Sequence, residues 1–143
     1  MLFPSREWCE AAVAALAKDP AVIAAVADFG PVLAGAVLTR GDGLAEDFCV
    51  LARIEPGKPT TLRFPSDEDE LEELEPDYIL WAPYKLCKSL LQNAFAGGHP
   101  DPLKALLSGQ MKLKGDLQRV VKHAGKHQGA GGNTLRALPT EFV

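Results

Sequence analysis

Two histidines, His123 and His127, have the spacing in this sequence that comes nearest to a chemical site. They lie four residues apart in a segment of helical periodicity, so both side chains fall on one helical face, as in a two-ligand metal site. The sequence offers no third ligand, since an H-E-x-x-H motif is absent and Lys122 and Lys126 flank the pair. Cations near a helix C-terminus also interact favourably with the helix dipole. We therefore predict no metal site.

Nucleophilic catalysis has little support in the sequence. No serine lies in a G-x-S-x-G motif. Cys9, Cys49 and Cys87 are far apart and odd in number, which argues against a disulfide framework or a zinc site and predicts reduced thiols. A cysteine and a histidine could meet in space, but nothing in the sequence favours such a pair. The residues thus give little support for an enzyme.

Charge is distributed unevenly along the chain. Residues 1–77 contain 16 acidic and 6 basic residues, a net charge of −10, whereas residues 78–143 contain 3 acidic and 9 basic residues, a net charge of +6. Aromatic residues for base stacking are scarce in the basic half, so we expect no nucleic-acid partner. The basic half fits transient contact with an anionic membrane surface, for which the candidate residues are Lys85, Lys88 and Lys112.

Local signals predict helices and strands in both halves. Ser5 and Asp19 are capping residues for two N-terminal helices, the second with Pro20 at its first helical position. Apolar runs and period-two alternation, bounded by turn residues, predict strands. Helical periodicity and capping residues predict further helices. The predicted strands are 31–40, 46–55, 60–64, 78–82 and 110–114. The acidic segment 65–75 favours a short, solvated surface helix, and further helices begin near residues 83, 101 and 117.

Neither a membrane span nor a signal peptide is expected. The longest apolar stretch, residues 21–38, is interrupted by Asp28 and by Gly30-Pro31, so it predicts two separate elements. The N-terminus lacks a basic start followed by an apolar run. We therefore expect a cytoplasmic location.

The stretch from Asp77 to His127 resembles a sterol carrier protein type-2 (sterol-binding) domain. The most specific part is DPLKALLSGQMKLKGDLQRVVK, which combines a short helix opened by Asp101-Pro102, a link at Ser108-Gly109, an alternating strand and a final helix. Upstream, DYILWAPYKLCKSLL is similar to the family's strand that leads into a helix. The chain is most similar to a stand-alone, bacterial-type member.

The resemblance implies an α+β fold, with a five-stranded sheet covered on one face by helices and an apolar tunnel between the layers. This domain would span residues 1–128, followed by a flexible joint and a C-terminal tail at residues 129–143. The implied function is non-enzymatic binding, and intracellular transfer, of fatty acids, acyl-CoA, sterols or phospholipids or another long apolar molecule, without a cofactor. A homodimer is left open.

Large apolar side chains are the predicted ligand contacts, on pattern and resemblance together. The predicted wall residues are Leu33, Leu51, Trp81, Leu86, Leu90, Phe95, Leu103, Leu106, Leu107, Met111 and Leu113. Two alternatives stay open. One is an accessory module whose apolar pocket takes a segment of a protein partner, with the acidic residues 67–77 as its docking face. The other is an enzyme that uses His123, His127 or a cysteine.

Overall fold

The computed structural model describes residues 1–143. Its helices begin where the sequence supplies capping side chains. Ser5 Oγ accepts the Trp8 N–H at 3.0 Å, and Asp19 Oδ1 accepts the Ala21 N–H at 2.9 Å. None of the helices is both long and apolar enough to cross a bilayer. The helices are α1 (Arg6–Leu16), α2 (Pro20–Phe29), α3 (Glu68–Glu73), α4 (Tyr84–Phe95), α5 (Pro102–Leu107), α6 (Leu117–Lys126) and α7 (Gly132–Arg136).

The strands form one large and one small sheet. They are β1 (Leu2–Phe3), β2 (Val32–Thr39), β3 (Phe48–Ile54), β4 (Thr61–Arg63), β5 (Tyr78–Pro83), β6 (Lys112–Lys114) and β7 (Glu141–Phe142). Five strands form the main sheet in the order β4-β3-β2-β5-β6, in which only the pair β2 and β5 is parallel. The predicted α+β fold with a five-stranded sheet is confirmed. The short strands β1 and β7 pair in parallel as a second sheet that we did not predict.

Side chains of the main sheet alternate between two faces. On one face, Ala34 and Ala36 of β2 lie beside Ala52 and Val50 of β3, and Leu80 of β5 lies beside Ala36 on the other side. We call this side the alanine face. Leu38, Leu80 and Ala82, all on it, pack against residues of α1, α4 and α5. The helix layer that we predicted over one face of the sheet therefore covers the alanine face.

The opposite face, which we call the α3 face, is closed by the acidic helix α3. Val37, Leu51, Leu71 and Ile79 form a buried cluster there, and Leu71 is the residue that α3 contributes. A Cβ atom at Gly35 would lie 3.0 Å from Leu71 Cδ1. Glycine at this position therefore allows α3 to approach the sheet closely. The acidic run that we predicted as a solvated helix is thus anchored by one fully buried leucine.

An aromatic cluster of Phe3, Trp8, Tyr84 and Phe142 joins the two termini to the body. Trp8 Nε1 donates to Thr140 Oγ1 at 2.9 Å, and the Tyr84 hydroxyl donates to the carbonyl of residue 143 at 3.1 Å. Residues 129–143, which we predicted as a flexible joint and tail after a domain of residues 1–128, thus include α7 and β7. Both elements contribute side chains that pack against this cluster.

Candidate functional site

The centre of the alanine face is built from small apolar side chains. Ala34 of β2 is paired with Ala52 of β3, and Ala36 is flanked by Val50 and Leu80. Alanine projects only one methyl group from the sheet, so three of these five positions leave space above the strands that leucine or phenylalanine would fill. No charged side chain lies among them. This surface is therefore a shallow apolar floor under the helix layer.

The helices do not seal this floor. Every residue that β2 and β3 place on the alanine face remains partly exposed. On the α3 face of the same strands, Val37 is 0% exposed and Leu51 is 3% exposed. This contrast holds at the centre of the two strands, since nearer their ends on the α3 face Leu33 is partly exposed and Arg53 is exposed. At the centre of β2 and β3, the alanine face is thus the less buried side of the sheet.

Besides the contacts of Leu80 and Ala82, three contacts between helices and sheet lie near strand ends. The Arg6 guanidinium of α1 lies 4.7 Å from the ring centroid of Phe64, just after β4. The Phe29 ring of α2 lies 5.9 Å from that of Tyr78 at the start of β5. At the far end of β2, Leu38 packs against the aromatic cluster. These three contacts fix the helix layer to the sheet near the ends of its strands.

Helix α6 carries an apolar stripe without a close-packed partner. Leu117, Val120, Val121 and Ala124 recur at helical spacing and form one side of the helix. None of them is buried, and Leu117 is 44% exposed. An amphipathic helix in a small domain usually buries such a stripe in the core. The unburied stripe is a second apolar surface to which a ligand could contribute the missing contacts.

Comparison with known proteins identifies the fold. No protein-family model and no curated protein sequence matches the chain. The crystal structure of sterol carrier protein 2 superimposes on 94% of this chain and 98% of its own, with a TM-score of 0.67 and 16% identity. The chain has the sterol carrier protein 2 fold. The solution structure of a conserved hypothetical protein from Thermus thermophilus, described as a possible sterol carrier protein, covers 96% of this chain and 90% of its own, with a TM-score of 0.70 and 15% identity.

Within the sterol carrier protein 2 fold, three of the predicted wall residues lie on the side away from the floor. Leu33, Leu51 and Trp81 occupy odd-numbered strand positions and pack in or against the buried cluster of the α3 face. Strand alternation separates them from the helix-covered side. These three residues therefore lie on the face of the sheet opposite the alanines.

The other eight predicted wall residues lie in or beside the helix layer. Leu86 and Leu106 pack against a buried cluster that contains Met111, and Leu113 is paired with Leu80 on the alanine face. Phe95 lies near Phe142 in the aromatic cluster, with ring centroids 6.2 Å apart. Leu107 is 61% exposed, so it lines no enclosed space. The remaining two, Leu90 and Leu103, are half-buried on α4 and α5.

A groove of about 450 Å³ opens between α4 and α5. Leu86, Leu90 and Ala105 are its hydrophobic residues, and although polar residues such as Asp101 and Lys104 also line it, most of the lining surface is apolar. A second pocket, below α3, has a volume of only about 70 Å³, which is well under the size of small-molecule sites. The second pocket is thus too small for a long alkyl chain, whereas the groove between α4 and α5 has the volume of a small-molecule site and brings together the predicted wall residues Leu86 and Leu90.

The small residues of the alanine floor are absent from the predicted wall residues, which are large apolar side chains chosen on pattern and resemblance. The alternation of residues 46–55 places Val50 and Ala52 on the same face as Phe48 and Ile54, and the structure has the same pattern. The available signal was the concentration of alanine on one face of two paired strands. Small residues at positions that face a helix layer indicate either a very close approach or a space.

The three candidate lysines do not share one surface. Lys88 of α4 lies 3.6 Å from the Asp42 carboxylate, whereas Lys112 of β6 lies on the α3 face, with its Nζ 5.9 Å from the Trp81 ring centroid. Lys85 is exposed on α4. A membrane surface would thus meet these residues on at least two sides of the molecule.

The thiols are poorly suited to nucleophilic chemistry. Burial raises the pKa of Cys87 to about 11, and burial together with the Glu10 carboxylate raises the pKa of Cys9 to about 11. Burial, with smaller contributions from nearby carboxylates, also raises the pKa of Cys49. Because the thiolate is the reactive form, all three are expected to be inert near neutral pH.

We expect iodoacetamide at pH 8 to alkylate Cys9 and Cys87 much more slowly in the folded chain than in urea. The unfolded thiols ionise near their ordinary value of 9.0, whereas the folded ones stay protonated up to about 11. The free energy of unfolding should therefore be unaffected by these groups below pH 9 and should fall as the pH rises through about 11. Peptide mass spectrometry after timed alkylation measures each site, and equal rates in both states would contradict the burial.

Proposed function

We propose that this protein binds one long-chain lipid, with the alkyl body lying between the alanine face and the helices above it. The observation that carries the proposal is the contrast between the two faces of one sheet. Ala34, Ala36, Val50 and Ala52 are partly exposed under the helix layer, whereas Val37 and Leu51 are sealed on the other side. A lipid that covered the floor would remove apolar surface from water. Burial of apolar surface is the dominant favourable term in most association reactions.

The energy available from such burial is sufficient. Each methylene removed from water contributes about 0.8 kcal/mol, so a sixteen-carbon chain gains roughly 12 kcal/mol before association and ordering costs. Micromolar binding requires about 8 kcal/mol net. No polar group on the floor has to be satisfied by the ligand. The proposed site is therefore permissive and accepts fatty acids, acyl-CoA, sterols or phospholipids according to length and shape.

The sterol carrier protein 2 fold supports a carrier role without catalysis. The two solved structures above are named or described as sterol carrier proteins, and those names motivate the same class of ligand here. The floor is wholly aliphatic and offers neither a nucleophile nor a general base. We infer binding and transfer inside the cell as the function, with the cytoplasm as the location and no cofactor required.

The direct test is binding of a fluorescent fatty acid to delipidated protein. We expect NBD-labelled stearate to bind saturably at micromolar concentration with one site per chain, and unlabelled stearate to displace it. Native mass spectrometry of untreated protein should show a mass increment that lipid extraction removes. Absence of saturable binding, or copurification of a peptide segment in place of lipid, would overturn the proposal and favour the accessory-module alternative.

A further inference from the structure

Helices α2 and α6 meet through polar side chains. Asp28 of α2 lies beside His123 and His127 of α6, and the three potential ligand atoms all lie within 4.8 Å of one another. His127 Nε2 is 2.8 Å from Asp28 Oδ2, and the two imidazole rings are 4.6 Å apart at their centroids. The third ligand that the histidine pair lacked in the sequence is thus supplied by a residue almost a hundred positions earlier. The prediction of no metal site rested on the absence of such a third ligand.

A backbone contact orients one of the two histidines. His123 Nε2 is 2.7 Å from the carbonyl oxygen of Ala25. A carbonyl only accepts, so Nε2 must carry the proton, and Nδ1 is left with its lone pair available. Metal-bound histidines commonly donate their second ring N–H to a backbone carbonyl in this way, which holds the ring and its tautomer. The hydrogen bond to Ala25 therefore provides the outer support that a ligand histidine requires.

We propose that Asp28, His123 and His127 bind one divalent transition-metal ion of the zinc type. Two imidazoles and one carboxylate are the donor set of many three-ligand zinc sites, in which water takes the fourth position. Imidazole nitrogen also suits copper and nickel but disfavours magnesium and calcium, which prefer oxygen. Asp28 is exposed, so its open side leaves room for the water.

The separation between His127 and Asp28 is close to what coordination needs. Tetrahedral zinc bound at about 2.1 Å places two ligand atoms about 3.4 Å apart. The 2.8 Å separation of His127 Nε2 from Asp28 Oδ2 would have to open by roughly half an ångström. The ion would take the place of the proton that those two atoms now share. In doing so it would join α2 to α6 and couple the first and last thirds of the chain.

Lys126 is the main competitor of the ion. Its Nζ lies 3.3 Å from Asp28 Oδ1, and its side chain is 65% exposed. The ammonium group occupies the other carboxylate oxygen and repels a second cation, but its flexible stem can move the charge into water. Arg119 is the other nearby cation, and its guanidinium lies over the Phe29 ring 4.2 Å from the centroid. Removing the Lys126 charge should thus strengthen metal binding.

Titration of the full, chelator-treated chain with Zn²⁺ and with Co²⁺ tests the proposal. We expect one ion per chain by calorimetry and a visible Co²⁺ spectrum without thiolate charge transfer. Asp28→Asn, His123→Gln and His127→Gln should each weaken binding at least tenfold, and Lys126→Ala should tighten it severalfold. His99→Gln is the matched control, because His99 lies outside the cluster. The affinity of this variant for Zn²⁺ should equal that of the unmodified chain.

The Asp28→Asn variant decides between the three-ligand site and the simple histidine pair on α6. Asp28 is exposed, so its substitution is expected to leave the fold intact, which circular dichroism verifies. Unchanged Zn²⁺ affinity in this variant would overturn the proposal, because the pair would then bind without α2. Absence of saturable binding below millimolar Zn²⁺ would overturn it as well. Fatty-acid binding is a separate measurement and does not bear on either outcome.

Discussion

Ala36→Trp is expected to lower the affinity for a fatty acid at least tenfold while the chain stays folded. The indole would project from the centre of the alanine face into the space proposed for the ligand. Displacing only two methylenes of the ligand into water costs about 1.6 kcal/mol, and about 1.4 kcal/mol corresponds to a factor of ten. Displacement of NBD-labelled stearate gives the affinity, and thermal unfolding monitored by circular dichroism gives the stability.

The adjacent residue on the same strand provides the matched control. Val37 points to the α3 face and is 0% exposed, so Val37→Ala should reduce the free energy of unfolding by about 0.5–3 kcal/mol. Its fatty-acid affinity should stay within twofold of the unmodified chain. If the space were a filled core, Ala36→Trp would instead overpack it and lower the free energy of unfolding by about 1–3 kcal/mol. Ala36→Leu, which adds a smaller side chain, would also lower it. That pattern would remove the basis for the lipid site.

Trp8→Ala is expected to lower the free energy of unfolding by about 3–5 kcal/mol, the range for loss of a buried tryptophan. The Trp8 ring packs edge-on to Phe3, with centroids 4.8 Å apart, and its Nε1 donates to Thr140. Both contacts hold the terminal strands in place. Chemical denaturation followed by circular dichroism measures the loss, and hydrogen exchange at Glu141, whose N–H donates to the carbonyl of Met1, should accelerate.

Trp8→Phe separates the two contributions of this side chain. Phenylalanine keeps an aromatic ring beside Phe3 but cannot donate to Thr140, so the loss from the missing hydrogen bond should be about 0.5–1.5 kcal/mol. The smaller ring adds a packing cost of its own. A loss below about 1 kcal/mol for Trp8→Ala would mean that the aromatic cluster is not a principal source of stability.

Elements with local signals were predictable from the sequence. Ser5, Asp19 and Asp101 cap α1, α2 and α5 as expected, because a cap is a contact between residues two or three apart. The five strands of the main sheet follow from apolar runs and alternation over three to eight residues. The resemblance of residues 77–127 then supplied the fold, which local pattern alone could not specify.

Contacts between distant segments were not predictable. The strands β1 and β7 have two residues each and pair across nearly the whole chain, so no periodicity marks them. Asp28 gave no sign in the sequence that it would lie beside His127, since only the packing of α2 on α6 brings them together. The floor was missed for a related reason. An alanine is equally consistent with a tight helix contact and with a space, and only the exposure of the folded chain distinguishes them.

The pairing of β1 with β7 also sets the order in which the molecule can assemble during translation. Domains fold as units from the N-terminal side as the ribosome releases them. Here Trp8 cannot reach Thr140, nor Phe3 its neighbour Phe142, until residues 140–142 have emerged. Until then, the aromatic face of α1 lacks its contacts with the C-terminal residues, even while the main sheet forms. Nascent chains stalled before residue 140 should accordingly keep α1 open to chaperones and proteases.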